Sequence, residues 1–305
     1  MDEGYDRHVE AVQHLKAAIS LYEEGVYSKS GEELVKCLEL DESLGDAWEL
    51  YGLVALAGMQ LSEARYGFER AEGSKGQFID ADLALRAIRD PTWPEGEELL
   101  DSINGLVALG QVFLSNARWR AAALCFTTAE PYLEPNYRIG SILGLIYREL
   151  GLLEVSLQYY EQASSMDGAP PGLLHDKAIV LIKLGRFDEA EKLLRYLLDA
   201  VEDDPQLWNN YGAVIEAQGR DDDALEAYER SLEHDPEYYP ALYSKGRILQ
   251  KKGLMDEARP ILEKALDIEG RVYDLKDVLG SKERAGDGEV HLKEISRKKE
   301  NKPAE

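Results

Sequence analysis

Paired carboxylates, two N-terminal histidines and two cysteines are the groups in this 305-residue chain whose types and spacing could support acid–base, metal or nucleophilic chemistry. Glu32–Glu33 and Asp221–Asp222–Asp223 stand at the expected starts of helices, where carboxylates offset the helix dipole rather than share a proton. His8 and His14 fall on different sides of a helix, which excludes a shared metal, and His14 reads as a packed or half-exposed side chain. Cys37 and Cys125 lie inside apolar helical stretches and read as small core residues, compatible with a reducing compartment. No phosphate-cradling glycine loop, metal-spaced Cys/His cluster or serine elbow occurs in the sequence. The expectation is a chain with no enzymatic activity, no cofactor and no metal.

Composition narrows the partners. The chain is 44% hydrophobic and 31% charged, as suits a soluble helical protein with a continuous core. Its formal net charge of −24 repels phosphate backbones, so no nucleic-acid partner is expected. No apolar run approaches the roughly 18 residues that span a bilayer, and the start MDEGYDRH lacks the basic and apolar regions of a secretory signal. No membrane association and a cytoplasmic location are therefore expected.

The elements that must position any functional side chain come from a repeat. In Pro205 to Tyr238, Trp208, Tyr211–Gly212, Ile215, Gly219, Ala224, Tyr228 and Asp235–Pro236 fit two short amphipathic helices, a glycine turn and a terminating proline. The same chemistry returns in frames that start at Ala11, Gly45, Ile103, Tyr137, Pro171, Pro205 and Tyr239, each 34 residues after the last except that Gly45 to Ile103 is 58, which is 34 plus a 24-residue insert. The eighth place of each frame is small: Ala18, Gly52, Gly110, Gly144, Ala178, Gly212 and Gly246. So are the twentieth (Ser30, Ala64, Ala122, Ser156, Ala190, Ala224, Ala258) and, with one exception at Leu197, the twenty-seventh. The twenty-fourth is large: Leu34, Phe68, Phe126, Tyr160, Leu194, Tyr228 and Leu262. Small columns let helices approach closely, and the large column fills the gap beside them.

This pattern resembles the tetratricopeptide repeat, in period and in its W-x2-[LY]-G-x2-[YI], A-x3-[FY] and terminal proline signature. The resemblance implies an all-α, right-handed α-solenoid (superhelix) of helix-turn-helix repeats. The expected organisation is an N-terminal extension (1–10), repeats one and two (11–78), a helical insert broken at Pro91-Thr92-Trp93-Pro94 (79–102), repeats three to seven (103–272), a C-terminal capping helix (273–286) and a disordered charged tail (287–305). Gly140, where a large residue is usual, and Leu197, where a small one is, predict looser or shifted packing around the fourth and fifth repeats.

What the resemblance implies about function is a protein-binding scaffold. In similar proteins the first helix of each repeat lines a concave groove through its second, fifth, ninth and twelfth places. Here that selects Leu53, Leu56, Val107, Gln111 and Leu114 at an apolar end, then Arg138, Ser141, Leu145, Arg148, His175, Ile179, Ile182 and adjacent Lys183. The polar end follows with Asn209, Glu216, Tyr243, Arg247 and nearby Lys251. The cations among these residues, set in an acidic body, are expected to receive a protein or peptide partner with apolar anchors and acidic groups. The alternative is a self-assembling homo-oligomer whose grooves accept neighbouring copies. Chaperone-tail receptors of the family hold a carboxylate with lysine at the fifth and asparagine at the ninth place; neither occurs here, so that clamp is excluded.

Overall fold

The computed structural model describes residues 3–74, 76, 78–89 and 99–279, and these contain fifteen α-helices and no strand. They run α1 (Glu3–Glu23), α2 (Tyr27–Leu40), α3 (Gly45–Ala57), α4 (Leu61–Glu72), α5 (Ile79–Ile88), α6 (Leu99–Ser115), α7 (Trp119–Ala129), α8 (Tyr137–Glu149) and α9 (Leu153–Ser164). Then follow α10 (Gly172–Lys183), α11 (Phe187–Ala200), α12 (Pro205–Ala217), α13 (Asp221–His234), α14 (Tyr239–Lys251) and α15 (Met255–Leu279). The seven second helices, α2, α4, α7, α9, α11, α13 and α15, all begin at the seventeenth place of their frame. The expected all-α repeat fold is present.

Each turn between paired helices works by the same device. The fifteenth place of every frame is left-handed, with φ between 73° and 80° at Gly25, Gly151, Gly185, Gly219 and Gly253. Around Gly151, Leu152 N donates to Tyr147 O at 2.9 Å and Gly151 N to Arg148 O at 3.0 Å. This paired closure satisfies the last carbonyls of one helix and aims the chain into the next. Met59 and Ala117 hold the same conformation without being glycine.

Packing explains the columns. A Cβ added to Gly144 would lie 2.9 Å from the Tyr160 ring, so the eighth place is small because the twenty-fourth side chain lies against it. Ser30 Oγ donates to Ala18 O at 2.8 Å and Ser156 Oγ to Gly144 O at 2.6 Å. A serine is thus accommodated in a buried column because it bonds back to the facing eighth-place carbonyl. At Gly140 an added Cβ would sit 3.1 Å from Ala163 Cβ, so α8 and α9 are close there, and Leu197 is buried. The close approach at Gly140 shows no looseness at that point of the fourth repeat.

The chain divides into two compact units, 1–193 and 194–305, with the boundary inside α11. In the first unit the pairs α1/α2, α3/α4, α6/α7 and α8/α9 pack together, and α5 interrupts the series. Glu49 on α3 supplies the N-terminal cap that α5 lacks locally, accepting from Asp80 N at 2.9 Å and Ala81 N at 3.0 Å. Arg118, which opens α7, in turn grips the buried Asp80 through both carboxylate oxygens. These bonds tie three separate helices together. α5 lies against α3 as a following first helix does elsewhere, and α7 also reaches α3. The unit's largest apolar cluster runs through this junction, from Trp48, Leu53 and Phe68 through Leu85 to Phe113, Phe126 and Ile146. Burying one such phenylalanine contributes about 1.5–3 kcal/mol.

The N-terminal extension expected over 1–10 is helical from Glu3 and forms the opening turns of α1. Arg7 donates to Glu39 O at 3.1 Å and His8 bonds Asp41, which fastens those turns to α2. His14 is half-buried, with Nδ1 2.6 Å from Glu33 Oε2.

In the second unit α12 pairs with α13 and α14 with α15 around Ile215, Tyr228, Ala241 and Ile248. α15 continues without a break through Gly270 to Leu279, so the separate capping helix expected from 273 is instead an extension of the seventh repeat's second helix. The Pro91–Pro94 break, residues 280–286 of the expected cap and the charged tail 287–305 lie outside the described residues.

Candidate peptide-binding surfaces

Three stretches of first helices carry the side chains that sequence reasoning selects. The first, on α3 and α6, is core on its α3 side. Leu53 is 6% exposed and Leu56 fully buried, while Val107 and Leu114 pack against the same cluster; Gln111 is exposed. The physical reason is the insert: with α5 alongside and α7 reaching across, α3 buries eight of its thirteen residues, against four in α8. The α3 part of the apolar end expected for a groove is therefore closed by the chain itself, while on α6 Val107 and Leu114 remain half-buried and Gln111 exposed. Its signal was present in the sequence, because AWELYGLVALA is apolar on nearly every side, as a fully enclosed helix is.

The second stretch is on α8 and α10, which touch each other within the first unit. Asn136 caps α8, accepting from Arg138 N at 3.0 Å, and so fixes where the helix and its exposed row begin. Gly140 and Gly144 turn inward towards α9, and Ser141 and Leu145 of α8, with His175, Ile179 and Ile182 of α10, are half-buried. Arg148 is only 15% exposed and is held at 3.1 Å by Glu149 and at 3.4 Å by Asp176, so it braces α8 against α10 instead of awaiting a ligand. Arg138 and Lys183 are exposed and form no ion pair among the described residues. Ser141 Oγ is spent on Arg138 O at 2.8 Å.

The third, on α12 and α14, lies in the second unit. Asp204 caps α12 by accepting from Gln206 N at 2.8 Å and Leu207 N at 3.2 Å, and Pro205 supplies a first-turn residue with no N–H in need of an acceptor. Glu216 accepts from Tyr228 Oη at 2.9 Å and from Arg247 Nη2 at 3.2 Å, and Lys251 pairs with Asp221 at 2.6 Å. Burial, reinforced by the Glu216 charge, raises the Tyr228 phenol well above its ordinary value, so it remains a donor. Tyr243 is half-buried, and Asn209 Oδ1 is enclosed with no hydrogen-bond partner among the described residues. The α14 cations expected to receive an acidic ligand are thus already neutralised from within. Glu216 and Asp221 do this, as Asp176 does for Arg148 on α8, and none of the three is distinguishable in sequence from other surface acids.

Among the described residues no group of His, Cys, Asp and Glu is arranged to hold a metal ion. Both cysteines are free and buried; burial is the main cause that pushes Cys37 up to about 11, which keeps the thiol protonated. No described helix is long and apolar enough to cross a membrane.

Residues 141–170, 175–238 and 217–276 each match a tetratricopeptide repeat family. This is a tetratricopeptide-repeat chain. It is 26% identical over 237 residues to a peroxisomal targeting signal receptor of Eremothecium gossypii, an alignment that covers 73% of this chain and 41% of that protein. It is 26% identical over 123 residues to Tetratricopeptide repeat protein 7B of Homo sapiens, covering 40% of this chain and 15% of that one. The tetratricopeptide-repeat chain thus spans less than half the length of these curated relatives. Among solved structures, MamA 41-end from Desulfovibrio magneticus RS-1 superposes with a TM-score of 0.51 at 15% identity, covering 55% of this chain and 96% of that one. That likeness is one of fold. It is the fold of protein–protein interaction scaffolds.

Proposed function

We propose that this tetratricopeptide-repeat chain is a non-enzymatic scaffold that binds a peptide or helix of another protein across α8 and α10. The carrying observation is chemical. Leu145, Ile179 and Ile182 stand half-exposed beside Arg138 and Lys183, two cations with no ion pair among the described residues, on a body of net charge −24. Apolar anchors with acidic neighbours complement that surface, as an amphipathic helix laid in a groove would. The peroxisomal receptor among the relatives is named for reading a targeting signal, which is consistent with recognition of a short segment.

The test is fluorescence anisotropy with two labelled amphipathic helical peptides that share leucines at i, i+3, i+4 and i+7 and carry either glutamates or lysines elsewhere. The glutamate peptide is expected to bind more tightly. The double charge reversal Arg138→Glu/Lys183→Glu is expected to weaken it by at least about tenfold, since two charge-assisted contacts are lost. Equal binding of both peptides, or no effect of the reversal, would remove the α8/α10 surface from the account.

A further inference from the structure

A recess of about 330 Å³ opens in the first unit where the turn of the first repeat meets the third and fourth repeats. Leu124 of α7 and Leu150, just past α8, supply apolar wall, and Leu152 stands exposed at the edge. Three tyrosines converge on it: Tyr22 at the end of α1, Tyr27 at the start of α2 and Tyr147 on α8. Their rings are fixed. Tyr22 packs on Tyr27 with centroids 5.7 Å apart, and Tyr147 stacks on Tyr159 at 5.5 Å. Their side chains are half-buried, and their hydroxyls have no hydrogen-bond partner among the described residues. Burial raises all three phenols above their ordinary value, so they stay neutral donors. The charged residues of the lining are Glu23 and Arg120, and Glu130 stands just outside it. Glu130 accepts from Tyr159 Oη at 3.3 Å next to Tyr147, and Glu23 faces Arg120 in an ion pair exposed on both sides.

We propose that this recess is a second binding site, separate from the α8/α10 surface. Its occupant is an extended segment of another protein that inserts one leucine-sized or aromatic side chain. The backbone carbonyls of that segment accept from the tyrosine hydroxyls, and lysine or arginine flanks the anchor to meet Glu23 and Glu130. The volume suits one large side chain with its adjoining backbone. Neutral phenol donors suit carbonyl acceptors, since the fold leaves these hydroxyls without one of its own. With Glu23 and Arg120 offsetting each other, Glu130 leaves one net negative charge beside the recess, which favours a basic flank over an acidic one. The preference is opposite in sign to that of α8 and α10, so the two sites are separable by experiment.

The probe is a fluorescein-labelled eight-residue peptide with a central leucine, a lysine two residues to either side, and alanine and serine elsewhere, titrated against the full chain. Saturable binding is expected, reduced at least about tenfold when the leucine is replaced by alanine or the lysines by glutamates. Thr127→Phe, which fills the recess from α7, should abolish binding, and Tyr147→Phe should weaken it about threefold to tenfold by removing one donor while keeping the ring. The Arg138→Glu/Lys183→Glu pair should leave this probe unaffected. Thermal unfolding accompanies each variant; if Thr127→Phe lowers the melting temperature, Tyr147→Phe and Glu23→Gln decide, and both must weaken the probe. No saturable binding, equal binding of the glutamate peptide, or indifference to Tyr147→Phe and Glu23→Gln overturns the proposal. Loss of the probe on Arg138→Glu/Lys183→Glu also overturns it, because the peptide would then be seated on α8 and α10.

Discussion

Ala117 holds φ at 55° in a turn where five of the seven repeats place glycine. A side chain in the left-handed region costs about 1–2 kcal/mol, and Ala117 is exposed, with no packing to offset it. Ala117→Gly should therefore stabilise the chain by about 0.5–1 kcal/mol, read as a higher urea midpoint at unchanged slope. Met59 has the same backbone but packs against the core, so Met59→Gly should gain less or lose stability. The opposite exchange is expected to be costly at Gly52, where an added Cβ would lie 2.4 Å from the buried Phe68 ring; Gly52→Ala should cost about 1–3 kcal/mol. These columns were legible in the sequence because each is a steric requirement repeated in every frame. The left-handed Met59 and Ala117 were not, since only glycine advertises that conformation.

At the scale of elements, the helix pairs were legible and the consequence of the insert was not. Periodicity locates α5 but does not say that α7 will reach α3, because that depends on Asp80, Glu49 and Arg118, which are far apart in the chain. Arg118→Met should cost about 2 kcal/mol by leaving the buried Asp80 unpaired, less than for a fully enclosed pair because Arg118 is 40% exposed. Urea unfolding of the single and double variants with Asp80→Asn should show that the two losses are not additive. The clasp between α1 and α2 should depend on pH. Asp41 is held below the usual carboxylate range by Ser43 and then His8, and Glu33 by Lys36 and then His14. Carboxyls whose folded value is depressed contribute stability above about pH 4, and that contribution disappears as the pH falls through the folded value. The difference in melting temperature between the parent chain and Asp41→Asn should therefore be largest near neutral pH and close towards pH 3. A difference independent of pH would show that the Asp41 charge contributes nothing.

For the molecule as a whole, repeat phase told which side chains belong to first helices, but not which of those the chain would cover or neutralise for itself. Leu53 and Leu56 went to the core, and Arg148, Arg247 and Lys251 went to Asp176, Glu216 and Asp221. Such pairings join residues from different helices, and a repeat alignment carries no information about them. What remains in the first unit is the α8/α10 surface, and its use as a recognition site is the central claim. The most direct measurement is site-specific photocrosslinking with benzoylphenylalanine placed at Ile182 or at Tyr66, the latter 51% exposed on the second helix α4. The labelled glutamate peptide is the partner, and unlabelled peptide the competitor. The account predicts a competed adduct from Ile182 and none from Tyr66. An adduct of equal yield from Tyr66, or none from Ile182 under conditions where the peptide binds, would contradict it.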